Sequence, residues 1–226
     1  GDTFILVAGS TYTGTLVLRA PATPCKGTDT DYVTVTTSGT LPSSTTRLDP
    51  SVSGPQLARI VTPNTYPAIE SGPGASYWKF VGIEITSTVG QFVPNAVTIG
   101  ASSILGYSPD WLTRMGMGNW IFDRCFIHDP DISYSSLIST NITHWTSRGI
   151  QTNVPNVTIK NSYFGGYTGK DPGGTVIASE DILMDGGPGP LTITNNYLEA
   201  NYSSVFLGGS DAAPDPSHQA TVSSAG

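Results

Sequence analysis

Four stretches of this chain align without gaps: "FVGIEIT" from Phe80, "FDRCFIH" from Phe122, "IKNSYFG" from Ile159 and "ITNNYLE" from Ile193. The first column holds Phe80, Phe122, Ile159 and Ile193, and the sixth holds Ile85, Ile127, Phe164 and Leu198, so both are wholly apolar. The third column holds Gly82, Arg124, Asn161 and Asn195, and the fourth Ile83, Cys125, Ser162 and Asn196. A second apolar segment follows each stretch: "NAVTIG" from Asn95, "RGIQTN" from Arg148, "EDILMDG" from Glu180 and "SSVFLGG" from Ser203. The unit is therefore a strand, a loop of variable length, a second strand and another loop, and self-similarity on this scale marks a repeat architecture. Like residues can stack in columns, with loop length left free, when each unit lies directly above its predecessor at the ~4.8 Å spacing of paired strands. The apolar columns then make a continuous core, and Asn columns at the bends hydrogen-bond along the stack. A sandwich or propeller would carry hairpin turns such as Asn-Gly, which the chain lacks.

Composition agrees with many short strands. Only 12% of the 226 residues are charged, while Gly (26) and Pro (17) are plentiful and no window has convincing helical periodicity. The reading is one all-β domain over 1–226, with N-terminal coils and a flanking loop in 1–70, regular repeats in 71–209 and a loop-like tail in 210–226 that reads as truncated. "TFILVAG", "TLVLRA" and "DYVTVTTSG" read as further strands, and the segment from Leu41 to Ile60 breaks the pattern as a long loop or short helix on the flank. A net charge of −7 with scattered Lys argues against nucleic acid as a partner. No apolar run is long enough to span a membrane, and the low-charge, Ser/Thr/Asn-rich surface points to export. Cys25 and Cys125 leave a disulfide or free thiols open, with a buried free Cys125 the blander reading.

"YWKFVGIEIT", "FDRCFIHD", "SRGIQTN", "NVTIKNSYFGG" and "GGPGPLTITNNYLEANYSSVFLGG" together resemble the right-handed parallel β-helix proteins of the pectate-lyase-like superfamily, in particular exported bacterial β-helix repeat proteins. The resemblance covers residues 1 to about 209. It implies a single-stranded right-handed parallel β-helix, a solenoid with long loop insertions, and a cleft along one sheet where a polysaccharide lies. It implies little about chemistry, because the superfamily holds lyases, hydrolases, esterases and non-catalytic adhesins. The Asn-Thr-Asp, Asp-Asp and Gly-His-Gly motifs of polygalacturonase-like hydrolases are missing, as is the Arg-x-Pro-x-x-Arg signature of pectate lyases.

The columns also predict where polar side chains meet. With the second strands in register, Arg148 neighbours Glu180 and Asn153 neighbours Asp185, with Gln151 and Asp181 close by. The functional reading is a sugar cleft in which Arg148, Glu180 and Asp185 act on a glycosidic bond or a uronate, while Gln151, Asn153, Asp181, Trp111 and Trp145 bind the polymer. The same residues also read as a surface ion pair and amide ladder. Asp123 could pair with Lys160, whereas His128 and Glu199 share a column two coils apart, ~10 Å, which is long for a dyad unless substrate lies between them. "HDPD" from His128 reads as a turn closed by Asp side chains, with Ca²⁺ ligation the secondary reading and no cofactor otherwise implied. Two functions follow: a lyase- or glycosidase-like protein acting on a polysaccharide, secreted or at the cell surface, or a non-catalytic glycan-binding or structural module.

Overall fold

The structure is a computed structural model that describes residues 1–20, 31–101, 117–137, 146–167, 173–175, 177–184, 187, 189–200 and 202–208. Cys25, Trp111, Trp145, Asp185 and the tail from 210 lie outside the described residues. The chain passes repeatedly through three sheets in rotation. The first pass is β1 (Thr3–Leu6), β2 (Thr11–Thr13) and β3 (Leu16–Leu18). The second is β4 (Val33–Thr37), β5 (Ala58–Thr62) and β6 (Ile69–Ser71). The third is β7 (Trp78–Val81), β8 (Ile83–Ser87) and β9 (Val93–Ile99), and the fourth is β10 (Trp120–Asp123), β11 (Phe126–His128) and β12 (Thr146–Thr152). The fifth is β13 (Val157–Lys160), β14 (Tyr163–Gly165) and β15 (Glu180–Met184), and the sixth supplies β16 (Leu191–Thr194) and β17 (Ser203–Leu207). Every strand pairs in parallel with those of the adjacent passes, giving an all-β architecture of three parallel sheets compatible with a parallel β-helix.

The aligned columns are the register of these sheets. Phe80, Phe122, Ile159 and Ile193 are successive Cα partners in the first sheet. Ile85, Ile127 and Phe164 are partners in the second, and Val97, Ile150, Ile182 and Val205 in the third. All but the last-pass residues Ile193 and Val205 are buried in one core, against which Ile193 packs, and there the Phe80 and Phe122 rings stack at 5.3 Å. Each fully buried side chain of this size contributes about 1.5–3 kcal/mol relative to exposure. Cys125 is a free thiol within that core, and burial pushes its pKa up to about 12, so it is chemically inert.

One correction concerns the aligned stretches themselves. The first three are each two strands rather than one, and the fourth is a strand followed by an isolated bridge at Tyr197, because the third residue turns the chain from the first sheet towards the second. Gly82, Arg124, Asn161 and Asn195 all adopt left-handed backbone, with φ of 65°, 52°, 55° and 54°. Gly tolerates that conformation freely and Asn better than most residues. The corner amides form the expected ladder: Asn195 Nδ2 donates to Asn161 Oδ1 at 2.9 Å, and Asn161 Nδ2 donates to Asp123 Oδ1 at 3.1 Å. Asp123 also pairs with Arg124 at 3.0 Å, so its bonds go to the corner residues rather than to Lys160, its partner in register.

The corner column has a second role. After β4, residues 41–57 form a strap that climbs along this corner before returning to β5. Leu41 fills the space that a side chain at Gly82 would need. Arg124 donates to Pro42 O at 2.7 Å, Asn161 to Ser44 O at 2.9 Å and Asn195 to Thr45 O at 3.3 Å, one strap carbonyl per pass. The returning limb holds a helical turn, α1 (Pro50–Ser53), whose Asp49 cap accepts from the Ser51 amide. Leu48 and Leu57 pack on Phe126 and Ile132 over the outer face of the second sheet. The flanking loop with a short helix is thus present, but Ala58–Ile60 belong to β5. Asn161→Ala is expected to lower the unfolding free energy by about 2–4 kcal/mol, through lost hydrogen bonds and a left-handed residue that Ala resists. Asn161→Gly should recover the backbone share, on the order of 1 kcal/mol. Urea unfolding of both variants checks this, and equal losses would remove the backbone argument.

Candidate functional site

The third sheet brings together part of the expected patch. Arg148 and Glu180 are partners in register, and Arg148 Nε lies 2.5 Å from Glu180 Oε2. The Glu180 side chain is 4% exposed and that of Arg148 26%, so the pair closes over its carboxylate. Gln151 is on the same strand, where its Oε1 accepts from Asn95 Nδ2 at 2.8 Å. Asn95 is also the register partner of Arg148, a member of this patch that sequence reasoning missed although it opens the aligned "NAVTIG". Asn153 lies just past the strand, with its backbone amide on Ile99 O.

Asp181 departs from that patch. It is withdrawn from solvent altogether. Arg148 reaches solvent while Ile150, two residues on, lies in the core, so the strand twists between them, at Gly149. A Cβ on Gly149 would sit 2.4 Å from the Asp181 carbonyl oxygen and 2.8 Å from the Phe164 ring, which reserves the position for glycine. Neither Asp181 carboxylate oxygen has a hydrogen-bond partner within the distance limits of a good bond. Burial pushes its pKa up to about 8, with the Glu199 charge acting in the same direction and the Ser204 hydroxyl against it. The buried Tyr167 hydroxyl also lacks a partner and is pushed upward by burial, then by Asp181 and Asp129.

On the second sheet, Glu84 rather than Glu199 is the partner of His128. His128 Nε2 lies 3.0 Å from Glu84 Oε1, and Arg59 Nε lies 2.9 Å from the same oxygen. His128 Nδ1 meets the Asp129 carbonyl at 2.7 Å. The "HDPD" carboxylate of Asp129 accepts the Thr146 amide at 2.7 Å and the Asp131 amide at 3.0 Å, which is the turn-closing arrangement. No cluster of three or more acidic, His or Cys side chains suited to a metal forms among the described residues.

A concave feature lies between the strap and the second sheet. A groove of about 610 Å³ is lined by Arg47, Leu48 and Asp49 on the strap side and by Tyr163, Asn195 and Tyr197 opposite. The two tyrosine rings stack at 4.3 Å and 14°, and Phe126 meets Tyr163 edge-on. The Arg47 guanidinium carbon stands 6.0 Å from the Tyr197 ring centroid. Tyr197 donates its hydroxyl to Glu199 Oε2 at 3.0 Å, a bond that raises its pKa. Burial does the same for Tyr163, helped by Tyr197 and Glu199, so both rings stay protonated donors. The sequence showed these tyrosines sharing a column but carried no signal that the strap would wall them in. Comparison with protein-family models, curated proteins and solved structures finds no match.

Proposed function

We propose that the chain is a right-handed parallel β-helix of the pectate-lyase-like kind, secreted or at the cell surface, that binds a polysaccharide in the groove between the strap and the Tyr163–Tyr197 stack. The carrying observation is the stack itself, with Arg47 beside it. Aromatic rings take up the apolar C–H faces of sugars, while Asn195 and the tyrosine hydroxyls can serve sugar hydroxyls. Arg47 supplies a local cation that an acidic sugar needs against a net charge of −7. Binding to a panel of acidic and neutral polysaccharides, followed by calorimetry or affinity electrophoresis, tests this. Tyr197 is 37% exposed, so Tyr197→Ala should leave the fold intact. It should weaken binding by roughly 3- to 10-fold, the scale of one aromatic contact. A folded chain that retains none of the panel, or binds equally well without Tyr197, would overturn the reading.

Cleavage of the polymer is the second reading, favoured by the close Arg148–Glu180 pair. It places Arg148, Glu180 and Asp185 in catalytic roles, with Gln151, Asn153, Asp181, Trp111 and Trp145 around the substrate. The same incubation reports on it through reducing ends for hydrolysis or unsaturated uronate for elimination.

A further inference from the structure

We infer that Tyr163 and Tyr197 form an oxidative modification site, where a haem peroxidase with hydrogen peroxide joins the two rings as a dityrosine. The inference is independent of what the groove binds. Tyr163 lies in β14 of the fifth pass, and Tyr197 is its bridge partner in the sixth. Adjacent parallel strands run ~4.8 Å apart and present paired side chains on one face. The Phe164 amide donates to Tyr197 O and the Tyr197 amide to Ser162 O, both at 2.9 Å, which fixes the two residues side by side. Their rings stack at 4.3 Å between centroids and 14° from parallel. Near-parallel rings at this separation need only a small tilt to bring together the Cε carbons, which lie ortho to each hydroxyl. Among the described residues, Tyr32 and Tyr77 are also in ring contact, but edge-on at 5.7 Å and 62°.

The surroundings suit loss of electrons from this pair. Tyr197 is exposed at the groove, where an oxidant reaches it, and Tyr163 is half-buried beside it. As an electron leaves Tyr197, its hydroxyl proton passes along the existing 3.0 Å hydrogen bond to Glu199 Oε2. The second electron leaves Tyr163 through the stack, and that proton goes to solvent. The charges of Glu199 and Asp49 both act on Tyr163 and favour electron loss, against the single cation Arg47, 6.0 Å from the Tyr197 ring. The two phenoxyl radicals couple through one Cε of each ring. A Cε–Cε bond forms, the two Cε–H bonds break, and those hydrogens return to the phenolic oxygens as protons. The protein thus gives up two electrons and two protons, and hydrogen peroxide takes them up to become two waters. Holding the radicals face to face favours coupling within the chain over encounters between molecules. The new bond ties the fifth pass to the sixth and restricts the unfolded chain, as an internal cross-link does.

Brief oxidation of the dilute protein by a haem peroxidase and hydrogen peroxide tests the inference, read by intact mass, fluorescence and peptide mapping. The monomer should lose the mass of two hydrogen atoms and gain the blue fluorescence of dityrosine. Digestion should release one linked peptide containing Tyr163 and Tyr197. Tyr163→Phe and Tyr197→Phe keep the stacked rings but remove one phenol each, and circular dichroism checks that both are folded. Each should cut the yield of internally linked monomer by roughly tenfold or more. An exposed ring such as Tyr202, at 68%, instead joins one molecule to another and gives dimers on a denaturing gel. Dimers with no change in monomer mass overturn the inference. So does a linked monomer that maps to another pair, an undiminished yield in either Phe variant, or a wild-type chain that forms no dityrosine.

Discussion

Asp181→Asn is expected to stabilise the protein at neutral and alkaline pH, by an amount on the order of 2–4 kcal/mol. The carboxyl of Asp181 is buried, its oxygens have no close partner, and its pKa is pushed up to about 8. In the unfolded chain an Asp titrates near 3.9. The folded state therefore holds its proton through a range in which the unfolded state has released it. The contribution of Asp181 to stability is fully present below pH ~4, falls as pH rises from there towards 8, and levels off above, because the unfolded state binds fewer protons at this group throughout that window. Each unit of separation is worth about 1.4 kcal/mol, and the partly unsatisfied amide of Asn returns some of the gain. The variant should melt higher than the wild type at pH 7.5, by roughly 5–10 °C for a chain of this size. At pH 4 the difference should shrink towards zero or reverse. Thermal or urea unfolding of both proteins at several pH values reads this out. Parallel pH profiles for the two would show that the carboxyl is solvated in the folded state and that the penalty does not exist.

This effect explains why part of the site was legible and part was not. Arg148 and Glu180 pair in the sequence because each stands two positions before an aligned isoleucine, Ile150 and Ile182, and register does the rest. Asp181 reads onto the same surface only by its closeness to Glu180, although adjacent residues of a strand face opposite sides. The strand slips phase at Gly149, where close backbone approach excludes a side chain, and a glycine within a strand was the available signal. The corner between the first two sheets was written more openly. Its flanking apolar columns lie five residues apart, as in Phe80 and Ile85, whereas one continuous strand repeats its inward side chains at even spacing. An odd interval means the chain has turned. The strap could not be read this way. It belongs to no column, and its bonds to Arg124, Asn161 and Asn195 span 82 to 150 residues of sequence. Nothing local encodes that contact, so the groove it walls was invisible until the passes were stacked.

Loss of Glu84 should be the most damaging polar change in the described structure. One oxygen of this carboxylate holds Arg59 of β5 and His128 of β11, so three consecutive passes depend on it. His128 is fully buried beneath Phe126, whose ring stacks on it at 3.9 Å, and both its nitrogens face acceptors, the Glu84 carboxylate and the Asp129 carbonyl. Removing the carboxylate leaves a buried imidazole nitrogen unsatisfied and takes the countercharge from Arg59. Breaking one side of a buried charged cluster typically costs about 3–5 kcal/mol. Glu84→Ala is expected to fall in that range in urea unfolding, and Arg59→Ala to cost far less, because the Arg59 side chain is 37% exposed and water already shares it. Replacing the pair together, Glu84→Leu with His128→Phe, removes both the donor and the acceptor, and stacked apolar residues can fill the column beside Phe126. The double variant should therefore cost less than the sum of its two single changes, a coupling of about 1–3 kcal/mol that a double-mutant cycle measures. Additive losses would mean that the ring and the carboxylate act independently. A Glu84→Ala cost below about 1 kcal/mol would mean that solvent reaches the cluster and that packing of the strap, rather than the ion pair, joins these three passes.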